Sequence, residues 1–190
     1  QHLGDVKQIA VTQGVIADIL QARGQLDEAL RIRQTEELPV YERLGDVRSK
    51  AVTMGQIADI LQARGQLDEA LRINQDVLVD FQHLGDVKQI AVTQGVIADI
   101  LQARGQLDEA LRILNDELLP AFERLGDVRS YLVAQTNMAI ILMQFTPPRR
   151  PEANQLLCEA LHAAQQMRIP EAEQIRGILR HFDMECFEQD

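Results

Sequence analysis

The chain has 190 residues, 46% of them hydrophobic, only 4% aromatic and none of them Trp; an apolar content drawn from Ala, Leu, Ile and Val suits closely packed helices and excludes an aromatic-rich β-sandwich. A formal charge of −10 and a pI near 4.9 exclude nucleic acid and anionic membrane as partners, because each requires a basic face. There is no apolar run of 18 residues and no signal peptide, and the two cysteines, Cys158 and Cys186, form neither a CxxC pair nor a zinc-spaced set, which reads as a reduced, cytoplasmic chain, with one disulfide as the alternative.

Internal repetition is the dominant signal. Residues 1–32 are identical to residues 82–113, a near copy occupies 44–73, and a diverged copy starts at Leu125. The landmark pairs Gly4-Asp5, Gly45-Asp46, Gly85-Asp86 and Gly126-Asp127 are spaced by 41, 40 and 41 residues, and a second glycine follows each of the first three by 20: Gly24, Gly65 and Gly105. The chain also opens without Met and in mid-pattern, Gln1-His2 recurring as Gln82-His83, which reads as a piece cut from a longer array.

In chain order, Asp5 is placed to cap a first helix running to about Ala22, with Ile9, Ile16, Ile19 and Leu20 at helical spacing. Arg23-Gly24 ends it, glycine supplying the left-handed residue. A second helix starts near Leu26-Asp27 and turns Leu26, Ala29, Leu30, Leu38, Tyr41 and Leu44 inward. Short connections make the two antiparallel, and such a pair buries its apolar stripe only by stacking on neighbours. The 41-residue repeats carry a proline in their second helix, Pro39 and Pro120, and the 40-residue repeat carries none. An interior proline loses a hydrogen bond and clashes with the carbonyl four residues back, at about 3 kcal/mol. One added residue relieves this by widening a turn into a π-type bulge. The spacing therefore predicts a bulge near Pro39 and Pro120 and a straighter helix over 70–83.

The fourth repeat has an apolar first helix over about 127–145 and the turn TPPRRP. Pro151 stands at the first position of the next helix, which runs to about Met167. Pro170–Phe187 reads as a final helix that caps the stack, with Ile175, Ile178, Leu179 and Phe182 inward. The whole is one repeat domain over 1–190, with repeats at about 3–43, 44–83, 84–124 and 125–168 and a cap helix at 170–187. Its first repeat has no cap, so self-association through that repeat, or stacking on preceding repeats, is expected.

The spacing Gly24 to Ala29, preceded by Ile16-Ala17 and Leu20, resembles the tetratricopeptide repeat (TPR) signature of small and apolar residues across two helices. It departs from the common form in its period of 40 rather than 34 and in Ala17, where glycine is usual, and is closer to the long-helix repeats of kinesin light chain and Pins-type adaptors. The resemblance implies an all-α, right-handed superhelix of about four helix pairs plus the cap helix. It also implies a concave groove lined by the first helices, a protein-binding role, and no enzymatic activity or cofactor.

Carried over in register, the groove positions are Val11, Gly14, Asp18 and Gln21, with Lys7 extending the stripe one turn earlier; the counterparts are Arg48, Val52, Gly55, Asp59 and Gln62; Lys88, Val92, Gly95, Asp99 and Gln102; and, in the fourth repeat, Arg129, Val133, Thr136, Ile140 and Met143. The spacing i, i+4, i+7, i+11 and i+14 places each set on one helical face. This gives a basic ladder at one edge, an acidic ladder in the middle and an apolar end. The bland alternative is a solvated face made repetitive by recent duplication, which also explains why Gln8, Gln13, Gln21, Arg23 and Gln25 recur. The mid-helix glycines Gly14, Gly55 and Gly95 each cost about 1 kcal/mol against Ala, offset by close helix contact or by room for a ligand backbone. TPRs that grip a peptide carboxylate place Asn where Asp18, Asp59 and Asp99 stand, so a basic or amide-rich protein segment is the expected ligand. Cys158 with His162, and His181 with Cys186, suggest a metal set, against which core packing of both cysteines is the simpler reading. No catalytic or phosphate-binding motif is present. A partner-binding module is the first reading, by analogy the sensor end of a larger bacterial signalling protein; a structural spacer or self-assembly element with no groove ligand is the second.

Overall fold

The structure, a computed structural model, describes residues 3–186, and among these the regular elements are all helical. They are α1 (Leu3–Ala22), α2 (Leu26–Ile32), a π segment (Arg33–Glu37), α3 (Leu38–Leu44), α4 (Val47–Ala63), α5 (Leu67–Leu84), α6 (Val87–Ala103), α7 (Leu107–Arg112), a second π segment (Ile113–Leu118), α8 (Leu119–Leu125), α9 (Val128–Gln144), α10 (Arg150–Gln166) and α11 (Glu171–His181). The chain divides into two compact units, 1–100 and 101–190, with the division inside α6.

The Gly-Asp landmarks act as the spacing requires. Gly45 ends α3 with φ of +65°, and the Asp46 N–H returns to the Tyr41 carbonyl at 3.0 Å, the Schellman arrangement. The Asp46 carboxylate then accepts the Ser49 N–H at 3.0 Å and so caps α4. Asp86 takes the Gln89 N–H at 3.2 Å and Asp127 the Ser130 N–H at 3.1 Å. Asp5 departs from the expectation: α1 already starts at Leu3, so Asp5 lies in its first turn rather than capping it. Gln1 and His2 lie outside the described residues.

Both π segments stand where the extra residue and the proline predict them. Arg33–Glu37 and Ile113–Leu118 directly precede α3 and α8, whose first turns hold Pro39 and Pro120, whereas α5, with neither proline nor insertion, runs from Leu67 to Leu84 unbroken.

In the first unit, α4 packs against α2, the first π segment, α3 and α5, burying Ala51, Ile57, Ala58, Ile60 and Leu61. Fully buried alanines, Ala17, Ala29, Ala58 and Ala70, let helix axes approach closely. Ile9, Ile16 and Ile19 do not turn inward as the helical spacing suggests. They are exposed on α1, while Ile57 and Ile60, the equivalents of Ile16 and Ile19, are buried on α4, because a helix ahead of α4 covers that face.

In the second unit, Leu132, Leu142, Leu157, Ala160, Ile175 and Leu179 build a core among α9, α10 and α11. Pro151 takes the second rather than the first position of α10, which starts at Arg150. The last helix is shorter than expected, ending at His181; Phe187 lies outside the described residues. The Met184 N–H returns to the Leu179 carbonyl at 2.9 Å, and Arg150 donates to the carbonyls of Phe182 at 2.8 Å and Asp183 at 3.0 Å. Asn154 donates to the Glu185 carbonyl at 3.2 Å. Held along α10 in this way, the 182–186 segment brings Cys186 to Cys158 with a Cα–Cα distance of 5.4 Å, and the two are joined in a disulfide. The reading of both as reduced thiols is corrected here. Their 28-residue separation gave no hint that the tail doubles back, and the bond removes both sulfurs from any metal set.

Candidate functional site

The expected site is a stripe along the first helix of each pair. Val11, Val52, Val92 and Val133 are exposed at the same register of α1, α4, α6 and α9. Asp18, Asp59 and Asp99 are exposed two turns further on, while Gln21, Gln62 and Gln102 are half-buried. In the fourth repeat Thr136, Ile140 and Met143 are half-buried.

The basic edge is largely consumed by the repeats themselves. Lys7 Nζ meets Asp46 at 2.7 Å and Arg48 meets Asp86 at 2.7 Å, so a cation on one first helix pairs with the N-capping aspartate of the next. Arg129 makes the same reach to Glu171, the first residue of α11, which thereby takes the place of a next first helix. Lys88 is exposed. The hydrogen bond from Lys7, followed by that from the Ser49 N–H, holds the Asp46 carboxyl down at about 2.

The acids are not equivalent. Asp18 accepts from Arg33, a residue that sequence reasoning missed. Arg33 is fully buried in the π segment, its Nη1 donating to Glu37 at 2.8 Å and to Gln56 at 2.8 Å. Thr53 donates to the other Glu37 oxygen at 3.1 Å. Burial pushes the Glu37 carboxyl above its ordinary range, with Arg33 and Thr53 opposing. Partial loss of water around the carboxyl raises Asp59, against the pull of Arg33, and raises Asp99, although both side chains stay exposed. Arg33 was detectable: it is the first position at which the copies 1–32 and 82–113 part, Leu114 standing in its place.

The glycines divide along the same line. A Cβ on Gly14 would lie 2.6 Å from Glu37 Oε1, so this glycine admits the buried carboxylate; a Cβ on Gly55 or Gly95 would meet nothing within 4 Å. Close helix contact therefore does not account for Gly55 or Gly95. The stripe thus presents exposed valines, exposed carboxylates, and cations of which Lys7, Arg48 and Arg129 are already paired.

Among the described residues there is no group of three His, Cys, Asp or Glu side chains placed to hold a metal ion, and no helix is long and apolar enough to cross a membrane.

In comparisons with known proteins, the tetratricopeptide repeat family matches residues 10–34 and 49–118. No curated protein matches the chain in sequence. Among solved structures, BtubC (BKLC) from P. vanneervenii shares the fold with a TM-score of 0.72 at 15% identity, over 97% of this chain and 86% of that one. The nearly identical TPR-like repeats of a Podosopora anserina protein assigned to the kinesin light chains share it with a TM-score of 0.51 at 19% identity, over 90% of this chain and 93% of that one. A single-substitution variant of those repeats gives 0.52 at 19% identity, over 96% and 98%. At these identities the likeness is one of fold, and it joins the family matches over helix pairs and Gly-Asp linkers described above: the chain belongs to the tetratricopeptide repeat family.

Proposed function

We propose that this protein is a scaffold that binds a basic or amide-rich segment of a partner protein along the stripe of its first helices, the concave groove of the family. TPR folds generally mediate protein–protein interaction and are typically non-catalytic. The observation that carries the reading is the valine exposed at one register of successive first helices of the first unit, Val11, Val52 and Val92, beside acidic groups. Duplication accounts for the identity of Val11 and Val92, but the near copy and the diverged copy keep the apolar position as Val52 and Val133, and the pairing of Lys7 and Arg48 leaves Asp59 and Asp99, with Lys88 the exposed cation among them, to set the sign of the partner. Service as the partner-binding end of a larger signalling protein, and action as one repeat domain, are parts of the same proposal.

The test is affinity capture with the wild type against Asp59→Lys/Asp99→Lys, Asp18 being left in place because Arg33 depends on it. Loss of captured partners supports the stripe; an unchanged set removes it. A cytoplasmic setting would hold Cys158 and Cys186 as thiols in cells. Thiol trapping at lysis reads this directly, since a fully protected pair is incompatible with that setting.

A second reading, self-assembly, rests on α1. Ile16 and Ile19 expose the face that α4 buries, with Ile9 exposed beside them, and a second copy laid over it would hide apolar surface. Light scattering over a concentration series, with Ile16→Lys/Ile19→Lys as control, separates a dimer through α1 from a monomer.

A further inference from the structure

A cleft of about 520 Å³ lies within the second unit, floored by Leu111, Met138, Leu142 and Leu156 and rimmed by Asp108 and Asp116 among others. Its volume falls within the range of about 300–1,000 Å³ usual for ligand sites. None of these residues is on the first-helix stripe.

The equivalent place between the first two repeats explains why it is open. There Leu30 is buried, and Arg64, at the C-cap of α4, reaches Asp27 at 3.3 Å. In the fourth repeat the C-cap of α9 is Phe145, so no arginine stands at that position, and the cation within electrostatic reach of Asp108 is Arg149, from the longer turn. Leu111, the counterpart of Leu30, is left half-buried. Both rim arginines make their hydrogen bonds to other carboxylates: Arg112 pairs with Glu117 at 2.8 Å, and Arg149, whose charge also acts on Asp108, donates to Glu152 at 2.7 Å while lying 5.4 Å over the Phe145 ring. The rim is acidic on balance and the floor is apolar.

We propose that this cleft is a second binding site, taking an apolar segment of a partner protein that carries an arginine or lysine beside its apolar anchor. The anchor covers Leu111 and Leu156, and the cation stands over Asp108, where Arg64 stands relative to Asp27. Charge complementarity selects the occupant: a glutamate on the segment would meet Asp108 and Asp116.

The test follows methyl NMR of the whole chain on titration with the capped peptide Leu-Arg-Leu-Leu-Arg-Leu and its glutamate-for-arginine counterpart. The arginine peptide is expected to shift the methyls of Leu111, Met138, Leu142 and Leu156 to saturation, and the glutamate peptide not to. Asp108→Asn/Asp116→Asn should weaken binding by about threefold to tenfold, the size of two exposed ion pairs. Phe145→Arg should weaken it as well by refilling the gap, with methyls remote from the cleft reporting that each variant is folded. Shifts confined to Val11, Val52, Val92 and Val133, equal binding of both peptides, absence of shifts at millimolar peptide, or concentration-dependent shifts of these methyls without peptide would each overturn the proposal.

Discussion

The first and third repeats begin with the same 32 residues and end in different environments. Ile16 and Ile97 sit at the same place in that sequence, yet Ile16 is 40% exposed and Ile97 only 4%; Ile19 and Ile100 differ as widely, at 49% and 0%. In a helical repeat, burial belongs to the neighbour as much as to the sequence. Past the shared stretch the difference becomes chemical. Arg33 and Glu37, a buried ion pair in the first repeat, are replaced by the buried Leu114 and Leu118 in the third. Both repeats still form a π segment ahead of a proline, so the charges do not cause the bulge; the proline and its added residue do.

The largest effect expected from this comparison concerns the buried pair. Arg33→Leu alone leaves Glu37 buried with Thr53 as its remaining donor and should cost about 3–5 kcal/mol in urea unfolding. Arg33→Leu/Glu37→Leu copies the third repeat and should be neutral or stabilising by about 1–4 kcal/mol. A double variant as unstable as the single one would show that the pair itself is required.

Next in size is the apolar face. Ile57→Ala on α4 should cost about 2–5 kcal/mol, and Ile16→Ala at the matching place on α1 under about 1 kcal/mol, measured by the same unfolding curves. Equal costs would mean that α1 is covered in solution.

Smaller, and opposite in sign, are the glycines. Gly55→Ala should stabilise by about 0.5–1 kcal/mol, because Ala is the better helix former and its Cβ meets nothing. Gly14→Ala should lose that gain and destabilise by about 1 kcal/mol, since Glu37 is tethered by Arg33 and Thr53 and cannot swing clear.

The smallest effect is in pH. Asp46 is held at about 2 against an ordinary 3.8, so its contribution is present above 3.8 and is lost as pH falls toward 2. Glu37 has the opposite sign: raised above 4.5, it favours the folded state while protonated, and that contribution fades as pH rises through its folded value. Stability against pH should therefore decline less steeply above 4.5 in Arg33→Leu/Glu37→Leu and lose part of its acid limb in Asp46→Ala. The Asp46 change also removes a helix cap worth about 1 kcal/mol.

Much of the fold was legible because its signals are local. Gly-Asp spacing marks where helices end and are capped, and one added residue beside Pro39 marks the bulge. What stayed hidden depends on partners distant in sequence. Asp5 matches Asp46 in sequence but lies inside a helix. Ile16 and Ile97 are indistinguishable without knowing what precedes each helix. The Cys158–Cys186 bond depends on a tail folded back along α10 by Arg150 and Asn154. The register of the stripe came from the family resemblance, and the pairing of Lys7 with Asp46 and of Asp18 with Arg33 was not legible at all, because each crosses between helices. The duplication itself concealed Arg33, drawing attention to what recurs and away from the first residue that does not.

The most direct measurement is solvent paramagnetic broadening of isoleucine methyls by a neutral soluble agent in dilute protein. Ile16 and Ile19 should broaden strongly while Ile57, Ile60, Ile97 and Ile100 remain sharp, although Ile16 and Ile19 share their local sequence with Ile97 and Ile100. Equal protection of all six would contradict the claim that an adjacent repeat, and not the sequence of the helix, decides which face is buried.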